Sequence, residues 1–203
     1  MINKFKFFGF LLSLLLMSSC TNYLYYGYLP GGDYQFYEPL IKRNLNGLKI
    51  HLNVVDGRND IKSISCSGYV LDRTTELEGD LGFQFFKYYC RAMLEYNGAV
   101  YDENSQDTLS ITLRGLSAIY SGFGYIKIYG LIEFEANGFG INTKKYCSEM
   151  VDGDDDAPLK WYSITTRKDA LRKIVSGSTR RALEDMVYDL EKSNNIQTPE
   201  KSK

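Results

Sequence analysis

The chain has 203 residues, 44% of them hydrophobic and 24% charged, with a formal net charge of −1. A charge so close to neutral excludes the broad basic surface of a nucleic-acid binder, and the length suits one domain with a real core. One histidine against 17 tyrosines leaves a multi-histidine metal site without ligands and gives nucleophilic triads little to draw on.

Lys4 and Lys6 open the chain, Phe7 to Met17 form a short apolar run, and small Ser18 and Ser19 lead into Cys20. A charged start, an apolar centre and small residues at a cleavage point make a secretory signal peptide, and the run is shorter than the ~20 residues of a spanning helix. The ending Leu16-Met17-Ser18-Ser19-Cys20 resembles a bacterial lipobox, with Met17 where Leu is usual. That resemblance implies cleavage before Cys20 and a diacylglycerol on its sulfur. The alternative is a secretory signal followed by an incidental cysteine. Residues 1–19 are thus expected to be a signal peptide and 20–44 a lipidated, Tyr-rich tether. Removing two lysines with the signal takes the charge from −1 to −1 − 2 = −3.

Within the tether, Pro30-Gly31-Gly32 breaks any regular period. Tyr23, Tyr25, Tyr26, Tyr28, Tyr34, Phe36 and Tyr37 are costly to leave in water. Two readings are open: the rings lie on the domain's own surface, or they form a docking strip for a partner or the membrane interface.

Residues 45–192 read as a single α+β domain. Leu48, Ile50, Leu52 and Val54 alternate with Lys49, His51 and Asn53, the period of a half-buried strand ending at Asp56-Gly57-Arg58. A weaker strand is expected over Ser63 to Leu71. Asp80 opens a helix to about Tyr96, with Thr75 and Glu78 as an alternative capping box. Gln84, Lys87, Arg91 and Glu95 form its polar stripe. Leu81, Phe85, Phe86, Tyr88, Tyr89, Ala92 and Met93 form its apolar side, and Asn97-Gly98 stops it. Leu109, Ile111 and Leu113 mark a strand. Ile126, Ile128, Ile132, Phe134 and Ala136 share one face of the next, opposite Lys127, Glu133 and Glu135. Asn137-Gly138 is the expected hairpin turn into a strand reaching Cys147. Thr166 caps a last helix from Arg167 to about Lys192, with an apolar stripe of Leu171, Val175, Ala182, Met186 and Leu190. Residues 193–203 read as a disordered tail. This order predicts a two-layer sandwich: an antiparallel sheet of four to five strands with both amphipathic helices packed on one face.

No catalytic set emerges, and no metal or cofactor is expected. His51 sits on the polar side of its strand. Gly122-Phe123-Gly124 lies between strands and opens no helix, so it is not a phosphate loop. Asp152, Asp154 and Asp156 have the opening spacing of a calcium loop, but Ala157 and Ser163 stand where such a loop needs Gly and Glu; a solvated acidic loop fits better. Asp56 and Arg58 suit a local ion pair. Glu133 and Glu135 share a face expected to meet solvent and to solubilise. Among the cysteines past Cys20, Cys90 falls on the apolar side of its helix, and Cys66 with Cys147 is the preferred disulfide for an exported chain.

The lipobox, the strand ending Val54-Val55-Asp56-Gly57-Arg58, the helix ending Asn97-Gly98-Ala99-Val100, the meander and the terminal helix together resemble the YajG-type lipoproteins. Their neighbours include auxiliary lipoproteins of lipid-transport systems and the lipopolysaccharide-assembly lipoprotein. The resemblance implies a small envelope lipoprotein without catalytic residues, which binds a protein partner as scaffold or accessory subunit. A carrier of a lipid or glycan is the alternative. Thr21 stands where an aspartate would retain a lipoprotein at the inner membrane. By the same resemblance this places the chain on the outer membrane, facing the periplasm and held by its acyl chains.

Overall fold

The computed structural model describes residues 35–58, 63–66, 69–72, 80–121, 127–159 and 167–197, with only the backbone described at 63–66, 69–72, 80, 119–121, 167–168 and 195–197. Strand β1 (Lys49–Asp56) is followed by the short strands β2 (Ser63–Cys66) and β3 (Tyr69–Asp72) and helix α1 (Asp80–Tyr96). Then come β4 (Val100–Tyr101), β5 (Thr108–Ser121), β6 (Lys127–Gly138), β7 (Ile141–Val151) and helix α2 (Arg167–Gln197). Among the described residues, no helix is long and apolar enough to cross a membrane.

One five-stranded sheet has the order β4-β1-β5-β6-β7. It is mixed, which corrects the expected antiparallel sheet. β5–β6 and β6–β7 are antiparallel, but β1 runs parallel to both β4 and β5. The chain leaves β1, passes through α1 and returns alongside it, and a crossover through a helix delivers a parallel neighbour. The weak strand expected at Ser63 to Leu71 is instead a small antiparallel hairpin, β2–β3, forming a sheet of its own.

Both helices draw on the sheet residues around Phe134. From α1, Phe86 meets Phe134 at 5.4 Å between ring centroids. From α2, the backbone of Ile174 comes so near Gly130 that an added Cβ would lie 2.6 Å from its carbonyl oxygen. Gly177 of α2 likewise faces the Met150 side chain, where an added Cβ would collide with the sulfur. Small residues on each side therefore let helix and strand backbones approach. Ile50, Leu109, Ile111, Leu113, Phe86, Met93, Leu183 and Leu190 fill the core between them.

The helix stripes match expectation with one correction. Leu171, Val175, Ala182, Met186 and Leu190 are all buried on α2, which runs on to Gln197 past the expected end at Lys192. On α1, Phe85, Phe86, Tyr89, Cys90 and Met93 are buried, but Leu81 and Tyr88 are 51% and 64% exposed. Those two fall on the stripe shared with Gln84, Arg91 and Glu95, whose successive members are one turn apart on the outer surface. The helix stops where expected: Gly98 takes φ +88°, and Ala99 N–H donates to Leu94 O, satisfying the last turn.

Two further corrections concern β5–β7. The β6–β7 turn is Phe139-Gly140, not Asn137-Gly138; φ values of +52° and +82° give the paired left-handed residues that a two-residue hairpin needs. Gly138 precedes the turn at φ +122°, where a Cβ would strike Thr108 O. On β5, Leu113 pairs with Phe134 and Gly115 with Glu133, so Arg114 is the extra residue of a bulge. The bulge shifts the phase of the strand: Leu109, Ile111 and Leu113 point inward before it, Leu116 and Ala118 after it.

Candidate functional site

The segment expected as tether is described from Gln35 onward, and it is strapped across the two helices. Tyr89, buried on α1, bridges it: Tyr37 N–H donates to the Tyr89 hydroxyl at 2.8 Å, and that hydroxyl donates to Tyr37 O at 3.1 Å. Phe36 packs on the same ring, 5.0 Å between centroids, and beside Tyr96 at 6.2 Å. Farther on, Leu40 N–H donates to Glu184 at 2.6 Å, Asn44 N–H to Glu191 at 3.0 Å, and Arg43 N–H to Asn97 Oδ1 at 2.7 Å. Burial raises the Tyr89 and Tyr37 hydroxyls well above the ordinary phenol range, so both stay protonated and able to donate.

The strap ends in a tight turn. Leu45 is fully buried, its N–H donates to Asn97 O at 2.8 Å, and Gly47 N–H donates to Gly98 O at 3.0 Å. Asn97 thus ends α1, holds Arg43 and receives Leu45. Two side chains on this fixed backbone stand outward, Leu40 at 64% and Ile41 at 62% exposure. Lys42 and Arg43 lie over the Tyr96 and Tyr188 rings, at 5.0 and 4.7 Å from their centroids. An aliphatic pair framed by aromatic-bound cations is a surface for contact.

The other sequence candidates are placed as follows. Tyr23, Tyr25, Tyr26, Tyr28, Tyr34 and Cys20 lie outside the described residues, as do the side chain of Cys66 and the segment Gly122-Phe123-Gly124. His51 Nδ1 is 3.0 Å from Glu103 O at the sheet surface. Asp56 and Arg58 form an ion pair at 2.6 Å. Cys147 is disulfide-bonded and Cys90 is a buried free thiol.

The acidic loop is only partly solvated: Asp155 is exposed, Asp152 accepts from Ile128 N–H at 2.9 Å, and the other two carboxylates are engaged by arginines. Asp154 pairs with Arg181 at 2.9 Å, and Asp156 pairs with both Arg180 and Arg181. The Arg181 hydrogen bonds hold the Asp156 carboxyl below its usual range. No cluster of three or more metal-ligating side chains occurs among the described residues. The loop also protects the sheet edge: Asp154 accepts from Val151 N–H at 3.1 Å, and Arg181 donates to Glu149 O at 2.9 Å. Edge groups that would otherwise template another strand are occupied there.

Glu133 is corrected outright. It is 2% exposed, not a solubilising surface acid. On the sheet face opposite Phe134 it pairs with Lys145 at 3.0 Å, while its second carboxylate oxygen and the nearby Ser117 hydroxyl are buried with no hydrogen-bond partner among the described residues. Glu135 pairs with bulge residue Arg114 at 2.8 Å. The open groove of about 470 Å³ near the β6–β7 turn is lined by Lys144, Lys145, Lys192 and Asp189.

No protein-family model matches the chain, and no curated protein sequence does. Among solved structures, the fold is similar to the crystal structure of protein XCC0632 from Xanthomonas campestris, of family DUF330. That likeness has TM-score 0.49 at 11% identity, over 82% of this chain and 97% of that one. A minor lipoprotein from Acinetobacter baumannii gives TM-score 0.34 at 9% identity, over 75% and 97% of the two chains.

Proposed function

We propose that the protein is a membrane-anchored envelope lipoprotein that works by binding, as a scaffold or accessory subunit of an envelope assembly, with no catalysis of its own. The observation that carries this reading is the run Leu16-Met17-Ser18-Ser19-Cys20 after a charged and apolar leader. The strap supports it: a chain arriving from an anchor is gripped at Tyr37, Leu40, Arg43 and Asn44 before it enters the sheet. The grip passes any pull to both helices. Thr21 after the cysteine favours the outer membrane, facing the periplasm, and the YajG-type resemblance agrees with an accessory role. Leu40 and Ile41 are the surface we assign to a protein partner. The carrier alternative, with a ligand between helices and sheet, is not favoured, because packed side chains and the contact at Gly130 fill that space.

The test is Cys20→Ser in the full chain, read by fatty-acid labelling and envelope fractionation. The wild type is expected to take up label and sediment with outer membrane, and the variant to lose both. Equal labelling of the two proteins refutes the anchor. Crosslinking in intact envelopes should then recover one specific partner, and Leu40→Asp with Ile41→Asp should abolish its recovery while leaving labelling unchanged.

A further inference from the structure

We infer that Cys66 is the cysteine bonded to Cys147, so that the β2–β3 hairpin is stitched covalently to strand β7 across the sheet face opposite the helices. The chain has four cysteines. Cys147 is disulfide-bonded, and Cys90 is free and fully buried on α1, leaving Cys20 and Cys66 as possible partners. Geometry favours the second. Cys147 pairs in register with Glu133, and Glu133 with Gly115, which sets all three on the face away from Phe134. Strand β2, whose last residue is Cys66, passes within 8 Å of β5, β6 and β7 between Cα atoms. A disulfide spans Cα atoms about 4.4–6.8 Å apart, which such an approach permits.

The choice also bears on Cys20, and here the inference rests on the proposed anchor. A thioether to diacylglycerol and a disulfide cannot share one sulfur, so a lipidated Cys20 leaves Cys66 as the remaining partner. Formation balances simply. The two thiols give up two protons and two electrons to the disulfide of an exchange catalyst in an oxidising compartment, and that disulfide becomes a dithiol. The clasp has a structural consequence. Leu131, Glu133 and Ser117 are buried on this face, where β2 is the neighbouring element. Holding the hairpin in place keeps the Glu133 carboxylate buried, and reduction releases the cover.

The experiment is peptide mapping of the full-length protein, alkylated without reductant, cleaved and analysed by mass. A Cys66–Cys147 linked peptide, with Cys90 alkylated only after denaturation, is expected. A Cys20–Cys147 peptide, or Cys66 alkylated in the native protein, overturns the inference. The N-terminal peptide separates the two claims: a Cys66–Cys147 link with an unmodified Cys20 keeps the clasp and sinks the anchor, whereas a diacylglyceryl Cys20 with free Cys66 does the reverse. Cys66→Ser and Cys147→Ser should each speed amide exchange in 63–72 and around Glu133 by at least tenfold, and the double variant should add nothing. Unchanged exchange in both refutes the cover even where the link forms.

Discussion

Tyr89→Phe separates the strap from the rest of the fold with the removal of one oxygen. The ring stays, so its edge-on contact with Phe85 at 5.4 Å and its contact with Phe36 are kept. Two hydrogen bonds to the Tyr37 backbone are lost. Each is worth about 0.5–1.5 kcal/mol net, so the docked strap loses about 1–3 kcal/mol. At 1.4 kcal/mol per tenfold, local opening becomes roughly 5- to 140-fold more populated. Hydrogen exchange reads this at the Leu40 and Arg43 amides, whose acceptors Glu184 and Asn97 are untouched by the substitution. Exchange at Ile111 and Phe134, in the middle of the sheet, should change by no more than the loss in global stability. If Leu40 and Arg43 exchange as in the wild type while the variant still loses the two bonds, the strap is held by Glu184, Glu191 and Asn97 alone. The bridging role of Tyr89 is then wrong.

Three other outcomes follow from the packing and the charges. Gly130→Ala puts a methyl against the α2 backbone, where no side chain can yield, and should cost about 2–3 kcal/mol or more, lowering Tm by roughly 5–10 °C; a drop below about 1 °C by calorimetry contradicts the close approach. Lys145→Ala should destabilise by about 1 kcal/mol in denaturant titration, the value being modest because Lys145 is 55% exposed, whereas Glu133→Leu should be neutral or stabilising because it removes a buried carboxylate oxygen with no hydrogen-bond partner among the described residues. Asp156 has its carboxyl lowered by Arg181, so its contribution is present above the unfolded value near 3.8 and is lost as pH falls through the lower folded value. The stability gap between wild type and Asp156→Asn should therefore be constant from pH 5 to 7 and close only below about pH 4; a gap that opens on acidification refutes the pairing.

Where one periodicity governed a whole element, the fold was legible in sequence. Helix α1 begins at Asp80 and ends at Tyr96 as its stripe and Asn97-Gly98 foretold, and the β1 alternation buries Ile50. Reading stopped where phase changed. The bulge at Arg114 moves the inward positions from odd to even, so the alternation that marks Leu109, Ile111 and Leu113 does not carry through a strand that runs to Ser121. Local rules also misled where a long-range contact decided the outcome. Asn137-Gly138 is an apt turn by itself, but Gly138 is needed against Thr108, and the turn falls two residues later. Glu133 alternates like a surface acid, yet it lies on the strand between β5 and β7 with β2 beside it, and sequence does not reveal that second cover. The strap was legible in part: rings lying on the domain's own surface was one of two readings, and Phe36 follows it, but the backbone grip depends on Tyr89, Asn97, Glu184 and Glu191, which lie 52 to 148 residues away along the chain.

The strap also constrains how an anchored domain could sit. From Cys20 to Gln35 is 15 residues of chain, which extended reach at most about 50 Å at 3.3–3.6 Å each. Without the strap, the free length would run on to the turn at Asn46–Gly47 and add ten residues or so, about 35 Å more by the same measure. Gripping the chain at Tyr37 therefore shortens the tether by roughly a third and fixes where it leaves the domain, beside Tyr89 on the helical side. The clasped hairpin and the Glu133 layer lie on the other side of the sheet. An anchored molecule then presents Leu40 and Ile41 near its own tether and the hairpin farther from it, so a partner that engages the aliphatic pair must approach within reach of the same membrane. A partner recovered only with the lipidated form, and lost when a long flexible insertion is placed before Gln35, is the result this geometry requires.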